Sequence, residues 1–218
     1  MAVKDFTLKN ILIEFVIVIL GITIAFWLSN IGEDKKEHRL EQVYLKDINT
    51  DLTKDRSDLT YSIKMTRQKL EVLQSAIKYY QDHPTHVAMD TVLQFSGIVG
   101  SYYHFTPNDY TYLTLQQSGD FKIILDNELK KHLVGVYQNY KFIEAEQKNL
   151  LDALDQNYFP TMMSKYDMIS GTVEDPDYFK SASFKNTLVF TTEETMRLIQ
   201  LYEMALNKLS TFQADNLN

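Results

Sequence analysis

Hydrophobic positions follow two different patterns along this chain. From Ile11 to Leu28, in ILIEFVIVILGITIAFWL, eighteen residues run together and only Glu14, Gly21 and Thr23 depart from apolar character. At 1.5 Å per helical residue the run is about 27 Å long, close to the hydrocarbon thickness of a bilayer. Further on, Leu45, Ile48, Leu52, Leu59, Ile63, Leu70, Leu73, Ile77 and Tyr80 recur at spacings of three, four and seven. That is the period of one helix with one buried stripe. Asp55 and Thr66 interrupt the stripe, so it is no regular coiled coil. The pattern predicts a long helix over about 33–82, continuing from the apolar run through GEDKKEHRLEQ and ending before Pro84.

The same reading predicts short helices over about 87–99 and 109–117, the second closed by Gly119. Asp126 then caps a second long helix over about 126–159. Its face is Leu129, Leu133, Val136, Tyr140, Ile143, Leu150 and Leu154, and it runs up to Pro160. The stretch MISGTVEDPDYFKSAS reads as loop. Thr191 and Glu194 have capping-box spacing, which predicts a C-terminal helix over about 192–212 with Leu198, Tyr202, Ala205, Leu209 and Phe212 buried. No alternating strand pattern is found. The expected fold is all-α, in two parts: an N-terminal tail and transmembrane helix over 1–30, then an antiparallel helical bundle over 31–218.

Charge and composition narrow the function classes. The competing reading of the apolar run, a cleavable secretory signal, needs small residues at its cleavage site, where this chain has Trp27 and Leu28. Trp27 instead sits where an interfacial anchor belongs. Lys4 and Lys9 offset Asp5 and Glu14, so the region from Asn30 onward carries the whole formal charge of −7. An acidic domain without a basic cluster argues against nucleic acid, whose phosphates call for Lys and Arg. The absence of cysteine removes disulfides, thiolate metal sites and cysteine nucleophiles.

Two stretches carry a family resemblance. ILIEFVIVILGITIAFWLSNIGEDKKEHRLEQVYLKDINTDL resembles the opening of an uncharacterised family of short single-span membrane proteins from Gram-negative bacteria, a domain of unknown function. YTYLTLQQSGDFKIILDNELKKHLVGVY is similar to the family's Tyr-x-x-Leu-x-x-Ser-Gly-x-Leu-x-x-Ile stretch, here around Ser118, Gly119, Phe121 and Ile124. The chain departs from the pattern at Ile13, where a Gly usually precedes the glutamate, and in its short basic tail of Lys4 and Lys9. The resemblance implies a cytoplasmic N-terminus in the inner membrane with the C-terminal domain in the periplasm. The basic residues Lys35, Lys36 and Arg39 beyond the span lean the other way. The resemblance brings no known activity.

Within the span, Glu14, Val18, Gly21, Ala25 and Ser29 share one helical face. Small residues at such spacing let membrane helices approach closely. Three readings of Glu14 stand: a hydrogen bond across a helix–helix seam, a carboxyl tolerated near the bilayer edge, or a proton path. The last lacks a second titratable group in the span. The aromatic residues Tyr102, Tyr103, Phe105, Tyr110 and Tyr112 read either as a cap on one end of the bundle or as a partner surface. His83, His86 and His104 have no acidic ligand at a fixed spacing, so no metal site is expected. Neither a nucleophile elbow nor a phosphate-cradling glycine loop is present.

The expectation is a non-catalytic protein without cofactor, anchored in membrane lipid. It would act as a scaffold or interaction subunit that self-assembles or docks on a membrane protein. The alternative is a periplasmic sensory or small-ligand-binding domain, with a polar pocket between its helices.

Overall fold

The apolar run and the stripe that follows it belong to one helix, α1, Leu8–Asp82, 75 residues without a break. The computed structural model describes residues 8–84, 86–167 and 169–216, with side chains from residue 11 onward. Lys4 and the Lys9 side chain therefore lie outside the described residues. After α1 come α2 (Met89–Val99), α3 (Tyr110–Gln117), α4 (Asn127–Ala153), α5 (Phe159–Lys165), α6 (Pro176–Lys180) and α7 (Ala182–Asn216). Among the described residues the protein is all-α apart from a hairpin of two-residue strands, β1 (Tyr166–Asp167) with β2 (Thr172–Val173), paired Tyr166 to Val173.

Local chemistry sets most boundaries as expected. Asp126 caps α4, its Oδ1 accepting from the backbone N–H groups of Glu128 at 2.8 Å and Leu129 at 3.1 Å. Gly119 follows α3 with a φ of 79°, the left-handed conformation that ends a helix at low cost only in glycine.

Three expectations are corrected. First, Pro160 does not end the second long helix. Proline cannot donate to the preceding turn and its ring crowds it, and the chain meets both demands with a widened π turn, Leu154–Tyr158, directly before α5. Second, Thr191 and Glu194 form no cap. Thr191 is fully buried in mid-helix, and its carbonyl accepts the Thr195 hydroxyl at 2.6 Å. The sequence FKNTLVF holds no helix breaker and extends the buried stripe through Phe184 and Leu188, so α7 begins ten residues before 192. Ser181 is the true cap, its Oγ accepting from the Phe184 N–H at 3.3 Å. Third, the segment read as loop holds the hairpin, turned by Gly171 at φ 72°, and the short α6 capped by Asp175.

α7 packs along both other long helices. Asn49 of α1 meets Gln213, Arg67 pairs with Glu203, and Tyr80 reaches Phe179 just ahead of α7, so positions rise on α1 as they fall on α7. On α4 the same reversal links Asn139 to Lys208 and Glu146 to Arg197. The segment 101–117 wedges between α1 and α4, touching Asp55 on one side and Tyr137 and Tyr140 on the other. Ile48, Leu52, Leu59 and Leu73 of the α1 stripe are completely buried. Each contributes about 1.5–3 kcal/mol by leaving water.

Candidate functional site

Among the described residues, the N-terminal part of α1 packs against no other element. Among the described residues it is the one helix long and apolar enough to cross a membrane, and none of its apolar window is buried. Phe26 and Trp27 are 68% and 62% exposed. The Thr23 hydroxyl donates to the Ile19 carbonyl at 2.8 Å, which satisfies it within the helix. Glu14, Val18, Gly21, Ala25 and Ser29 are all exposed, and a Cβ added at Gly21 would meet no atom within 4 Å.

Helical rotation adds a relation that the stripe alone does not contain. At about 100° per residue, Glu14, Gly21 and Ala25 point within about 40° of one another, and Gly32 joins them. Ile48, Asp55 and Leu59, which face the folded domain, point roughly 140–180° away. The small-residue face is therefore turned away from the first residues of α1 that pack into the domain, and the exposed Val43 continues it. Between the apolar run and the first packed residues lies a stalk over 29–40, about 18 Å long and exposed except at the half-buried Ile31 and Leu40. The domain begins where the Leu125 N–H donates to Glu41 Oε1 at 3.3 Å and the Tyr44 hydroxyl donates to Asp120 at 2.8 Å.

Inside the domain two polar groups hold the wedge. Asp55 is fully buried, and its Oδ1 accepts from both the backbone N–H and the side-chain amide of Asn108 at 2.8 Å. The buried Tyr140 hydroxyl on the facing helix approaches the same carboxyl, while the buried Tyr137 hydroxyl beside it has no hydrogen-bond partner. Burial raises the Asp55 carboxyl above its ordinary range, against the lowering effect of hydrogen bonding to Asn108 and Tyr140. Burial also pushes both tyrosine hydroxyls up, reinforced by the Asp55 charge. Gln147 of α4 forms the second hold. Its Oε1 accepts from the Phe105 N–H at 2.6 Å and from the Tyr202 hydroxyl at 2.8 Å, and its amide donates to the Phe105 carbonyl at 3.0 Å.

The aromatic residues singled out in sequence do not share a surface. Phe105 and Tyr112 are core, against Tyr140 and stacked on Tyr137 at 3.9 Å. Tyr102 and Tyr103 are half-buried, and Tyr110 is 81% exposed. The group lies in the seam between α1 and α4 rather than over an end of the domain. His83 stacks on Tyr79 and His104 on Tyr102, and among the described residues no three His, Asp or Glu side chains converge as metal ligands.

Sequence reading missed Lys69. It is 4% exposed on α1, and its ammonium donates to the carbonyls of Val99, at 3.3 Å, and Ser101, beyond the end of α2. Its position in the stripe register was the available signal. Burial lowers its pKa to about 8 from 10.5. Below pH 8 both folded and unfolded chains carry the proton, and folding bears the full desolvation cost. Above pH 8 the folded state sheds it first, so stability should rise with pH, by about 1.5 kcal/mol between pH 8 and 9.5. Urea unfolding of the full chain in detergent checks this, and Lys69→Met should remove the slope.

Neither a search of curated proteins nor one of solved structures found a match. A family model does match, over residues 14–190, from the glutamate in the apolar run through the first part of α7. The chain therefore belongs to the family of unknown function DUF6090.

Proposed function

We propose that the protein is a single-pass membrane anchor carrying an antiparallel helical bundle, which acts as a non-catalytic scaffold or interaction subunit. In this reading it self-assembles or docks on a membrane complex through α1. One observation carries it: the same unbroken helix is wholly exposed and apolar at its start and buried in the domain further on. An apolar surface of that extent calls for lipid or a partner. The rotation of the Glu14–Val18–Gly21–Ala25–Ser29 face away from the first residues packed into the domain supports pairing, because two copies can meet there without those packed faces colliding. The physical drive is close backbone packing and interhelical hydrogen bonding, since lipid supplies no hydrophobic force between helices.

Gly21→Ile should abolish cross-linking between copies, or to a membrane partner, while the domain stays folded. The control Ile24→Leu should leave it intact. Glu14→Gln should be tolerated better than Glu14→Leu, because the amide keeps the hydrogen bond. Equal behaviour of Gly21→Ile and Ile24→Leu would remove the stripe as an interface. In this reading the domain lies on the periplasmic side of a bacterial inner membrane, as the resemblance of its N-terminal segment implies. A phosphatase fused after Asn218 should be active there, and a stable but inactive fusion would reverse the orientation.

A second reading, a periplasmic ligand-binding sensory domain, is favoured by the buried polar groups between α1, α3 and α4. A small molecule that raised the melting temperature as RT ln(1 + [L]/Kd) predicts would support it over the scaffold.

A further inference from the structure

We infer that the cleft between α2 and the π turn binds a small aromatic carboxylate, with the Lys69 ammonium as the fixed positive charge behind it. The cleft has a volume of about 410 Å3, and its lining includes Gly97, Gly100, Ser101, Tyr158, Phe159 and Tyr166. Three separate features meet there.

The first is charge. The two carbonyls that hold the Lys69 ammonium, at Val99 and Ser101, flank Gly100, so the charge is held by the same backbone that lines the cleft at Gly100 and Ser101. The domain has an excess of acidic residues, yet among the described residues no carboxylate pairs with this ammonium, and desolvation alone shifts it. A buried charge without a counter-charge is costly, and its low-dielectric surroundings strengthen its pull on an anion. Capping the end of α2 explains the two carbonyl bonds. It does not explain why a full positive charge is kept where a neutral donor would serve.

The second is shape. A Cβ on Gly100 would come within 2.9 Å of the Phe159 ring and 3.2 Å of the Tyr158 ring, so glycine is what lets α2 close on the aromatic wall. Gly97, one turn earlier, has no neighbour within 4 Å, so its missing side chain leaves room in the cleft. The third is the wall itself. The π turn places Tyr158 so that its hydroxyl donates to the Ser96 carbonyl, while Phe159 follows at the start of α5. Tyr158, Phe159 and Tyr166 give the cleft an aromatic lining against which an aryl group can pack. The Ser101 hydroxyl, which now donates to the Ile98 carbonyl at 2.8 Å, can turn to a carboxylate.

Radiolabelled benzoate, equilibrated by dialysis with the full chain in detergent, tests the site. Saturable binding to the wild type is expected, with benzyl alcohol competing about tenfold more weakly than unlabelled benzoate because it lacks the charge. Lys69→Met should erase that preference, and Gly97→Leu should abolish binding by filling the cleft. The leucine improves helix propensity and meets open space, so circular dichroism should show Gly97→Leu folded. Absence of saturable binding, equal competition by the alcohol in the wild type, or unchanged binding in Gly97→Leu would each overturn the assignment.

Discussion

Replacing Gln147 by leucine should destabilise the domain by about 3–5 kcal/mol, the largest loss expected from any single polar side chain in it. Gln147 is 5% exposed and serves three groups at once: the N–H and the carbonyl of Phe105 and the hydroxyl of Tyr202. Leucine matches it in size but leaves the Phe105 backbone groups and the tyrosine hydroxyl in a dry seam. Each buried group left unpaired costs about 1–3 kcal/mol. The Tyr202 hydroxyl can turn its one proton to the Tyr103 carbonyl at 3.2 Å, which limits the sum. Gln147→Glu should be milder at acid pH than at neutral pH, because only the protonated acid still donates to the Phe105 carbonyl. Chemical unfolding of the full chain in detergent measures the effect. A loss under about 1 kcal/mol would mean that the wedge closes without this side chain.

Asp55 should separate two substitutions that look alike in size. Asp55→Leu is expected to cost about 2–3 kcal/mol, because both donors of Asn108 lose their acceptor and the wedge loses its hold on α1. Asp55→Asn keeps an oxygen for Asn108 and removes a charge that burial disfavours, so it should equal or exceed the wild type at neutral pH. The sign follows from the raised carboxyl. Its contribution to stability is full below the ordinary value of 3.8 and is lost as the pH rises through the higher folded-state value. Wild type and Asp55→Asn should therefore converge in acid and diverge towards neutrality. Greater stability of the wild type at neutral pH would show that the ionised carboxylate is well solvated in the seam.

Both predictions concern residues whose roles were invisible in the linear pattern. Asp55 was legible only as an interruption of the α1 stripe, and Gln147 as one polar residue between apolar positions of α4. A residue's period along a helix tells which way it points. It does not tell what comes to meet it. Asn108 lies 53 positions from Asp55, and Phe105 lies 42 from Gln147. The same limit applies to Lys69, whose two carbonyl acceptors belong to residues 30 and 32 positions away.

What the sequence by itself determined is the part that depends on neighbours within a few turns. The apolar run, the continuation of α1 past it, the Asp126 cap and the Gly119 stop all follow from local hydrogen bonding and side-chain period. So does the shared face of Glu14, Gly21 and Ala25. Where local rules conflicted, tertiary packing decided. The Thr191–Glu194 pattern was overruled because Phe184 and Leu188 gain more from burial against the domain than a cap offers. Pro160 was carried through because the π turn absorbs it while Leu154 and Tyr158 stay in the core. The scatter of the aromatic residues, with Tyr112 inside and Tyr110 outside, came from the wedge between α1 and α4. So did the opposition between the small-residue face and the first packed residues of α1, because a helix has no outward side until something packs on the other one.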